Sequence, residues 1–185
     1  KKISKRLNVQ RLNPQMIKFI DWFSKYNLVP LGMTLKMCLL SKDAVETKFV
    51  EEFNKFKIKN VKKNILLNDE QKKSLAFIRS AGKKYNVTVI EGVTGSGKTL
   101  VYFSRIKDLI DRNLQALILL PEIALTNQFS TRFKEFFGVD PAIWHSGTSK
   151  KNKAIIWKGI SEGNIKIVIG ARSSLFLPFK KLGII

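Results

Sequence analysis

The sequence feature that most constrains this chain is a glycine-rich segment, Gly92 to Thr99, which reads G-V-T-G-S-G-K-T. It matches the spacing G-x-x-x-x-G-K-[ST] at every fixed position. Its glycines let the backbone curl until several N–H groups point at one phosphate chain, and the positive end of a following helix strengthens the field. The segment predicts a phosphate-binding loop made by Gly92, Val93, Thr94, Gly95, Ser96, Gly97, Lys98 and Thr99.

Two side chains of this loop carry the predicted chemistry. Lys98 can reach the terminal phosphates of a nucleotide as a point charge, and the Thr99 hydroxyl can ligate Mg²⁺, which neutralises charge on the transferred group. We therefore predict Lys98 and Thr99 as catalytic residues, with Thr99 as the metal ligand. The alternative is a glycine-rich turn with an incidental lysine, and the predicted strand before the loop and helix after it favour the phosphate loop.

Short apolar runs alternate with helical patterns from residue 66 onward. The runs predict strands, and the amphipathic segments between them predict helices. Such alternation implies a mostly parallel sheet with right-handed crossovers, covered on both faces because its strands are apolar throughout. We predict an α/β fold with strands at 87–90, 116–120, 142–144, 165–169 and 183–185, and helices at 68–81, 98–112, 123–137 and 151–160.

The residues before this region predict a small, mainly helical segment. Asn13-Pro14 begins a helix that should end near Tyr26, and Ser41 or Asp43 can cap a second helix. A basic, unpatterned stretch at 55–63 is typical of a linker. The predicted domains are therefore 1–40, 41–65 and 66–185, and the three tryptophans, Trp22, Trp144 and Trp157, are predicted to lie in the core.

The charge indicates a polyanionic partner. There are 34 Lys and Arg against 14 Asp and Glu, a net charge of +20, whereas solubility needs about 2–8 for a small domain. Each phosphate that a lysine neutralises releases counterions, so nucleic acid is favoured over an anionic membrane or an acidic protein. The one cysteine, Cys38, and the one histidine, His145, cannot close a zinc site. No apolar run of about 18 residues predicts a membrane span, and the chain is expected to be cytoplasmic with no membrane partner.

Several further segments together resemble one helicase family. They are L-P-E-I-A-L-T-N-Q at 120–128, W-H-S-G at 144–147 and G-A-R-S-S-L-F at 170–176. With the phosphate loop, they resemble the PriA (primosomal protein N′) family, superfamily-2 DNA helicases of bacterial replication restart. By that resemblance, residues 66–185 form a RecA-like helicase lobe, and residues 14–40 look like the end of an N-terminal DNA-binding domain.

The resemblance implies particular ligands and partners. It implies ATP with Mg²⁺, Gln71 beside the nucleotide, and DNA, forked or single-stranded, bound through its phosphates by Thr126, Arg172 and Ser173. An internal ion pair is the alternative for Arg172. The family also implies restart-primosome proteins as partners, a monomer at the bacterial nucleoid, and zinc in the full-length family but not in this chain.

The sequence also departs from the family. Leu100, Lys153 and Ala171 stand where a Glu, an Arg and a Thr are usual, and residues 41–65 stand where a winged helix is expected. Residues 1–185 contain neither the family's acidic Asp-Glu-Glu-His motif nor its second lobe, so we expect weak Mg–nucleotide binding and near-zero hydrolysis and unwinding by this chain alone. Three interpretations stay open: part of an ATP-dependent helicase, a DNA-binding remnant that uses no ATP, and a small phosphate-loop kinase, which the charge and the further motifs disfavour.

Overall fold

A four-stranded parallel sheet forms the centre of the molecule. The computed structural model describes residues 11–39, 52–58, 66–81, 85–121 and 127–185. The strand order is β2-β3-β1-β4, and every neighbouring pair is parallel. The predicted α/β architecture is confirmed. The strands are β1 Gln115–Leu119, β2 Ala142–Trp144, β3 Ile167–Gly170 and β4 Leu182–Ile184.

Two helices begin at the capping residues that the sequence predicts, Asn13 and Asn68. Pro14 stands in the first turn of α1, and the Asn13 side chain accepts a hydrogen bond from the Met16 N–H at 2.7 Å. Asn68 and Gln71 close a reciprocal capping box at the next predicted helix, so two backbone donors that a helix leaves unpaired are satisfied. The helices are α1 Pro14–Tyr26, α2 Leu31–Cys38, α3 Asp69–Ser80, α4 Lys98–Asp111, α5 Asn127–Phe137 and α6 Lys150–Glu162, with 3₁₀ helices at Glu52–Phe56 and Arg172–Phe176.

Apolar side chains cover both faces of the sheet, as its continuous apolar strands predict. On one face, Leu117 and Val168 pack with Trp157 of α6. On the other face, Phe103 of α4 packs with an aromatic cluster from α5, and its ring centroid lies 5.2 Å from those of Phe136 and Phe137. Each fully buried side chain of this size contributes about 1.5–3 kcal/mol. The packing on this second face therefore holds α4, the helix that follows the glycine-rich loop, against the sheet.

The N-terminal helices pack against the same body. The Asn13 amide donates to the carbonyl of Phe179 at 2.7 Å, and the Trp157 indole N–H donates to the carbonyl of Cys38 at 2.8 Å. The ring of Phe23 meets Phe176 edge-on, with centroids 5.0 Å apart. These contacts seat α1 and α2 beside the 3₁₀ helix that follows β3. The predicted division into three domains stays a prediction.

Two sequence predictions are wrong. Residues 87–90 form no strand: Val87 is 70% and Val89 86% exposed, and neither has a backbone partner among the described residues. An apolar run specifies side-chain character, whereas a strand also needs a neighbour to pair with. Trp22 is not in the core: it is 54% exposed and stacks between Phe19 and Tyr26 on the outer side of α1.

The other two tryptophans, Trp144 and Trp157, are buried as predicted. The helix predicted after Ser41 lies outside the described residues up to position 51, and so does the predicted linker from position 59. Between them, Phe53 in the 3₁₀ helix Glu52–Phe56 is buried against Ile155 of α6.

Candidate nucleotide site

The glycine-rich loop presents backbone donors at the start of α4. Gly95 and Gly97 adopt left-handed backbone angles, with φ of +87° and +81°. Gly97 is the N-cap of α4 and offers no side chain to cap it. Among the described residues, no acceptor bonds the N–H groups of Gly97, Lys98 or Thr99. A helix start with free N–H groups and no side-chain cap suits an anion, and a phosphate chain fits this donor set.

Gln71 holds the loop in place from α3. Its Nε2 donates to the carbonyl of Ser96 at 2.9 Å, while its Oε1 accepts from the N–H of Asn68 at 3.0 Å. A Cβ on Gly97 would collide with that Nε2, so a side chain at this position would have to displace the end of Gln71 as well as adopt a left-handed backbone angle. Gln71, predicted as a nucleotide-binding residue, therefore contacts the loop itself.

The loop's two predicted catalytic side chains are both engaged locally. The Lys98 ammonium donates to the carbonyls of Gly92 and Val93 at 2.5 and 2.9 Å. The Tyr102 hydroxyl lies 3.4 Å from the Thr99 hydroxyl oxygen. Burial raises the pKa of Tyr102, although the hydrogen bond to Thr99 and the charge of Arg132 oppose the shift, so the phenol stays protonated at neutral pH. To reach a phosphate oxygen, the Lys98 ammonium would have to leave these two carbonyls.

A cleft of about 610 Å³ adjoins the loop, within the range of small-molecule sites. Thr94, Gly95 and the residues from Gly97 to Leu100 form one wall. The other wall comes from α5, which contributes the charged side chains of Arg132 and Glu135. Sequence reasoning missed these two residues. A signal for them was present in the sequence. Phe133, Phe136 and Phe137 form the buried side of that helix, so Arg132 and Glu135, three residues apart, share a different side of it.

The predicted DNA-contacting residues lie apart from the loop. Arg172 and Ser173 begin the 3₁₀ helix that follows β3, and both are exposed. This is the carboxyl end of a parallel strand, where open α/β sheets bind ligands. Arg172 makes no ion pair with any described residue, so the internal-pair alternative has no support there. No described contact joins either residue to the loop, and Thr126 lies outside the described residues.

His145 has a structural contact. Its Nδ1 accepts a hydrogen bond from the N–H of Gly147 at 3.0 Å, closing the turn after β2. Lys153 donates to the carbonyl of Ser146 at 3.2 Å across the same turn. Within the described ranges, no three His, Cys, Asp or Glu residues come together as a metal site. None of the helices described there combines the length and apolar character that crossing a bilayer requires.

Comparison with known proteins defines the class. Residues 50–183 match the DEAD/DEAH box helicase family, and the chain belongs to that family. Two relatives from the genus Rickettsia carry the same protein name. The chain is 41% identical to the replication restart protein PriA of Rickettsia conorii over 187 residues, covering 100% of this chain and 27% of that protein. The PriA of Rickettsia felis is 40% identical over 177 residues, covering 94% of this chain and 26% of the relative.

A more distant bacterium gives the same result. The PriA of Bacillus subtilis is 40% identical over 121 residues, covering 64% of this chain and 15% of the relative. The chain therefore spans about a quarter of the length of the Rickettsia relatives it matches. The family resemblance drawn from the motifs is confirmed.

Proposed function

We propose that this chain binds Mg–ATP at the loop 92–99 and DNA through its basic surface, as the first lobe of a replication-restart helicase. The observation that carries the nucleotide part is the helix start at Gly97: three successive backbone N–H groups have no described acceptor, and a lysine stands beside them. The match to the helicase family over residues 50–183 supports the same conclusion.

Each residue of the loop has a proposed task. The N–H groups of Gly97, Lys98 and Thr99 would bind phosphate oxygens, with the field of α4 behind them. Lys98 would leave the carbonyls of Gly92 and Val93 for the terminal phosphates, and Gln71 would keep the loop curled through its bond to Ser96. The Thr99 hydroxyl would hold Mg²⁺, which supplies charge neutralisation at the phosphates when it is bound.

DNA would be bound by phosphate contacts. Arg172 and Ser173 are exposed at the carboxyl end of β3, and the net charge of +20 supplies long-range attraction. Thr126 is a further proposed contact. By similarity to the PriA proteins, we place the work at the bacterial nucleoid, with the chain a monomer among restart-primosome proteins, and near-zero hydrolysis by these 185 residues alone stays a prediction.

The test of the nucleotide site compares Lys98→Ala and Thr99→Ala with Lys73→Ala, which removes an exposed lysine of α3 outside the loop. Titration with a fluorescent ATP analogue, with and without Mg²⁺, measures each affinity. We expect Lys98→Ala to weaken binding at least tenfold, Thr99→Ala to abolish the advantage given by Mg²⁺, and Lys73→Ala to change neither. Unchanged binding in Lys98→Ala would refute the proposed site.

One observation favours a second function, DNA binding without ATP. The Lys98 ammonium is already satisfied by two loop carbonyls, while the positive charge of the chain needs no nucleotide to attract DNA. The two functions differ in whether Mg–ATP changes the DNA affinity and whether Lys98→Ala removes that change. Both require DNA affinity to fall about 10³-fold or more between 50 and 200 mM salt if six or more phosphates are contacted.

A further inference from the structure

A second cleft, of about 810 Å³, lies at the opposite edge of the sheet from Arg172. Three neighbouring strands, β3, β1 and β4, are parallel, so the residues that precede them meet at one edge. Those residues are Lys166 before β3, Asn113 before β1, and Lys180 with Lys181 before β4. The 3₁₀ helix Glu52–Phe56 and Lys57 form another wall. We call this the lysine cleft.

The lining of the lysine cleft carries excess positive charge, because four lysines stand against two acids. Its four lysines, Lys57, Lys166, Lys180 and Lys181, make no ion pair with a described residue. The ammonium of Lys180 donates to the backbone carbonyl of Glu162 at 3.2 Å, a neutral acceptor. The two acids in its lining have other partners: Asp111 is 2.7 Å from Lys107, and Glu162 is 3.4 Å from Lys158. Desolvation lowers the pKa of Lys166, and the charges of Lys181 and Lys180 lower it further, so these ammonium groups repel one another where an anion would relieve them.

One buried amide connects the floor of the lysine cleft. Gln115 is 1% exposed, and its Nε2 donates to the carbonyls of Ile160 and Ile165 at 3.0 and 2.8 Å. Its Oε1 accepts from the N–H of Lys181 at 2.9 Å. One buried amide thus joins the end of α6, the approach to β3 and the approach to β4. The backbone positions that carry Lys166 and Lys181 are therefore joined to one another through this amide.

The geometry points to the lysine cleft as a second site for the DNA backbone. It binds the phosphates of a DNA strand other than the one bound near Arg172. This inference rests on the proposed function, because it assumes that the chain binds DNA. Neighbouring strands in a sheet lie about 4.8 Å apart, and β1 lies between β3 and β4. The backbone positions of the lysines that precede β3 and β4 are therefore about 10 Å apart. That spread fits a run of phosphates better than one small anion.

The position of the cleft separates it from the first DNA site. Lys166 precedes β3 and Arg172 follows it, and six residues of extended chain span about 20 Å. The two sites therefore face opposite ends of the sheet, and two arms of a branched DNA could occupy them together. The Asn113 side-chain oxygen accepts from Lys166 at 2.6 Å, which leaves its amide N–H groups to donate to a phosphate.

The test uses Lys57→Gln/Lys181→Gln, because neither side chain makes a hydrogen bond with a described residue and folding should be unaffected. The control, Lys18→Gln/Lys73→Gln, removes the same charge from exposed lysines of α1 and α3. DNA affinity is measured as a function of salt, with thermal melting to check the fold. Two lost phosphate contacts should reduce the slope of log K against log salt by about 1.4–1.8 and weaken binding about 25- to 60-fold at 0.1 M salt. The control pair should change the slope by less than half as much.

The outcomes distinguish this inference from the proposed function. Failure of the unaltered chain to bind DNA would refute the proposed function. If Arg172→Ala weakens DNA binding while the cleft pair behaves like its control, only the lysine cleft is refuted. The same variants are also tested for binding to inorganic phosphate, to polyglutamate and to vesicles with anionic headgroups. The assignment to DNA would be overturned if the Lys57/Lys181 pair weakened binding to any of these probes but left DNA binding unchanged.

Discussion

Gly97→Ala tests the geometry of the nucleotide site most directly, because its cost has two separable parts. The backbone of Gly97 has φ of +81°, and a left-handed L-residue costs about 1–2 kcal/mol. The new Cβ would also collide with Nε2 of Gln71, so that side chain must move. Moving it breaks its bonds to Ser96 and Asn68, each contributing about 0.5–1.5 kcal/mol. We expect a total loss of about 2–5 kcal/mol.

A double-mutant cycle separates the two parts. In a Gln71→Ala background the obstructing side chain is gone, so Gly97→Ala should cost only the backbone term, about 1–2 kcal/mol. The two substitutions should therefore be less than additive by about 1–3 kcal/mol. Gly95→Ala is the matched control: its φ is +87°, but nothing lies within 4 Å of its Cβ. It should cost the same backbone term with or without Gln71.

Urea unfolding of the four chains of the cycle, and of the Gly95 pair, gives the free energies, and equal m-values confirm that the same transition is compared. Nucleotide titration runs in parallel, since a loop that relaxes locally would lose affinity instead of global stability. Additive losses for Gly97 and Gln71 in both measurements would refute the packing argument. Equal coupling of Gly95 to Gln71 would refute it as well.

Three further predictions concern the body that supports the site. Gln115→Leu leaves the carbonyl of Ile165 and the N–H of Lys181 without partners, whereas the carbonyl of Ile160 keeps its bond from the Gly163 N–H. We expect a loss of about 2–6 kcal/mol in urea unfolding. Trp157→Ala should cost about 3–5 kcal/mol, whereas Trp22→Ala, at a 54% exposed side chain, should cost less than about 1 kcal/mol. Burial raises the pKa of the Cys38 thiol from 9.0 to about 11, so the unfolded chain loses this proton first. The protonated thiol therefore makes its full contribution to stability below about pH 9. From there to about pH 11, the free energy of unfolding falls by about 1.4 kcal/mol per pH unit. Cys38→Ala should remove that slope, and an unchanged slope would contradict it.

The helices were predictable because their ends are specified locally. Asn13 with Pro14, and Asn68 with Gln71, are signals within four residues, and both begin helices where expected. The strands 116–120 and 142–144 were predictable within a residue because their apolar side chains are buried. Those of β1 are buried on both faces of the sheet, and Ala142 and Trp144 of β2 are buried against α6. The failure at 87–90 has the opposite cause. Strand pairing depends on which other strand lies alongside, and the local sequence around Val87 and Val89 does not specify that neighbour.

The candidate sites divide in the same way. The loop 92–99 could be predicted because all its functional groups lie in eight consecutive residues, and most of them are backbone. Arg132 and Glu135 could not be placed beside it, because they reach the cleft only through the packing of α5 on α4. A motif therefore locates the part of a site that one segment supplies, and the rest follows from the order of the strands and helices.

The lysine cleft shows how the order of the strands decides which charged residues lie together. Lys166 and Arg172 are six residues apart and carry the same charge, and composition gives no reason to assign them to different surfaces. The parallel sheet separates them, because one precedes β3 and the other follows it. The same sheet brings Lys166 together with Lys181, fifteen positions away, since β3 and β4 both flank β1. The described basic residues therefore lie on at least two distinct surfaces. If both bind DNA as proposed, altering either surface alone should reduce the salt dependence of DNA affinity by only part of its total.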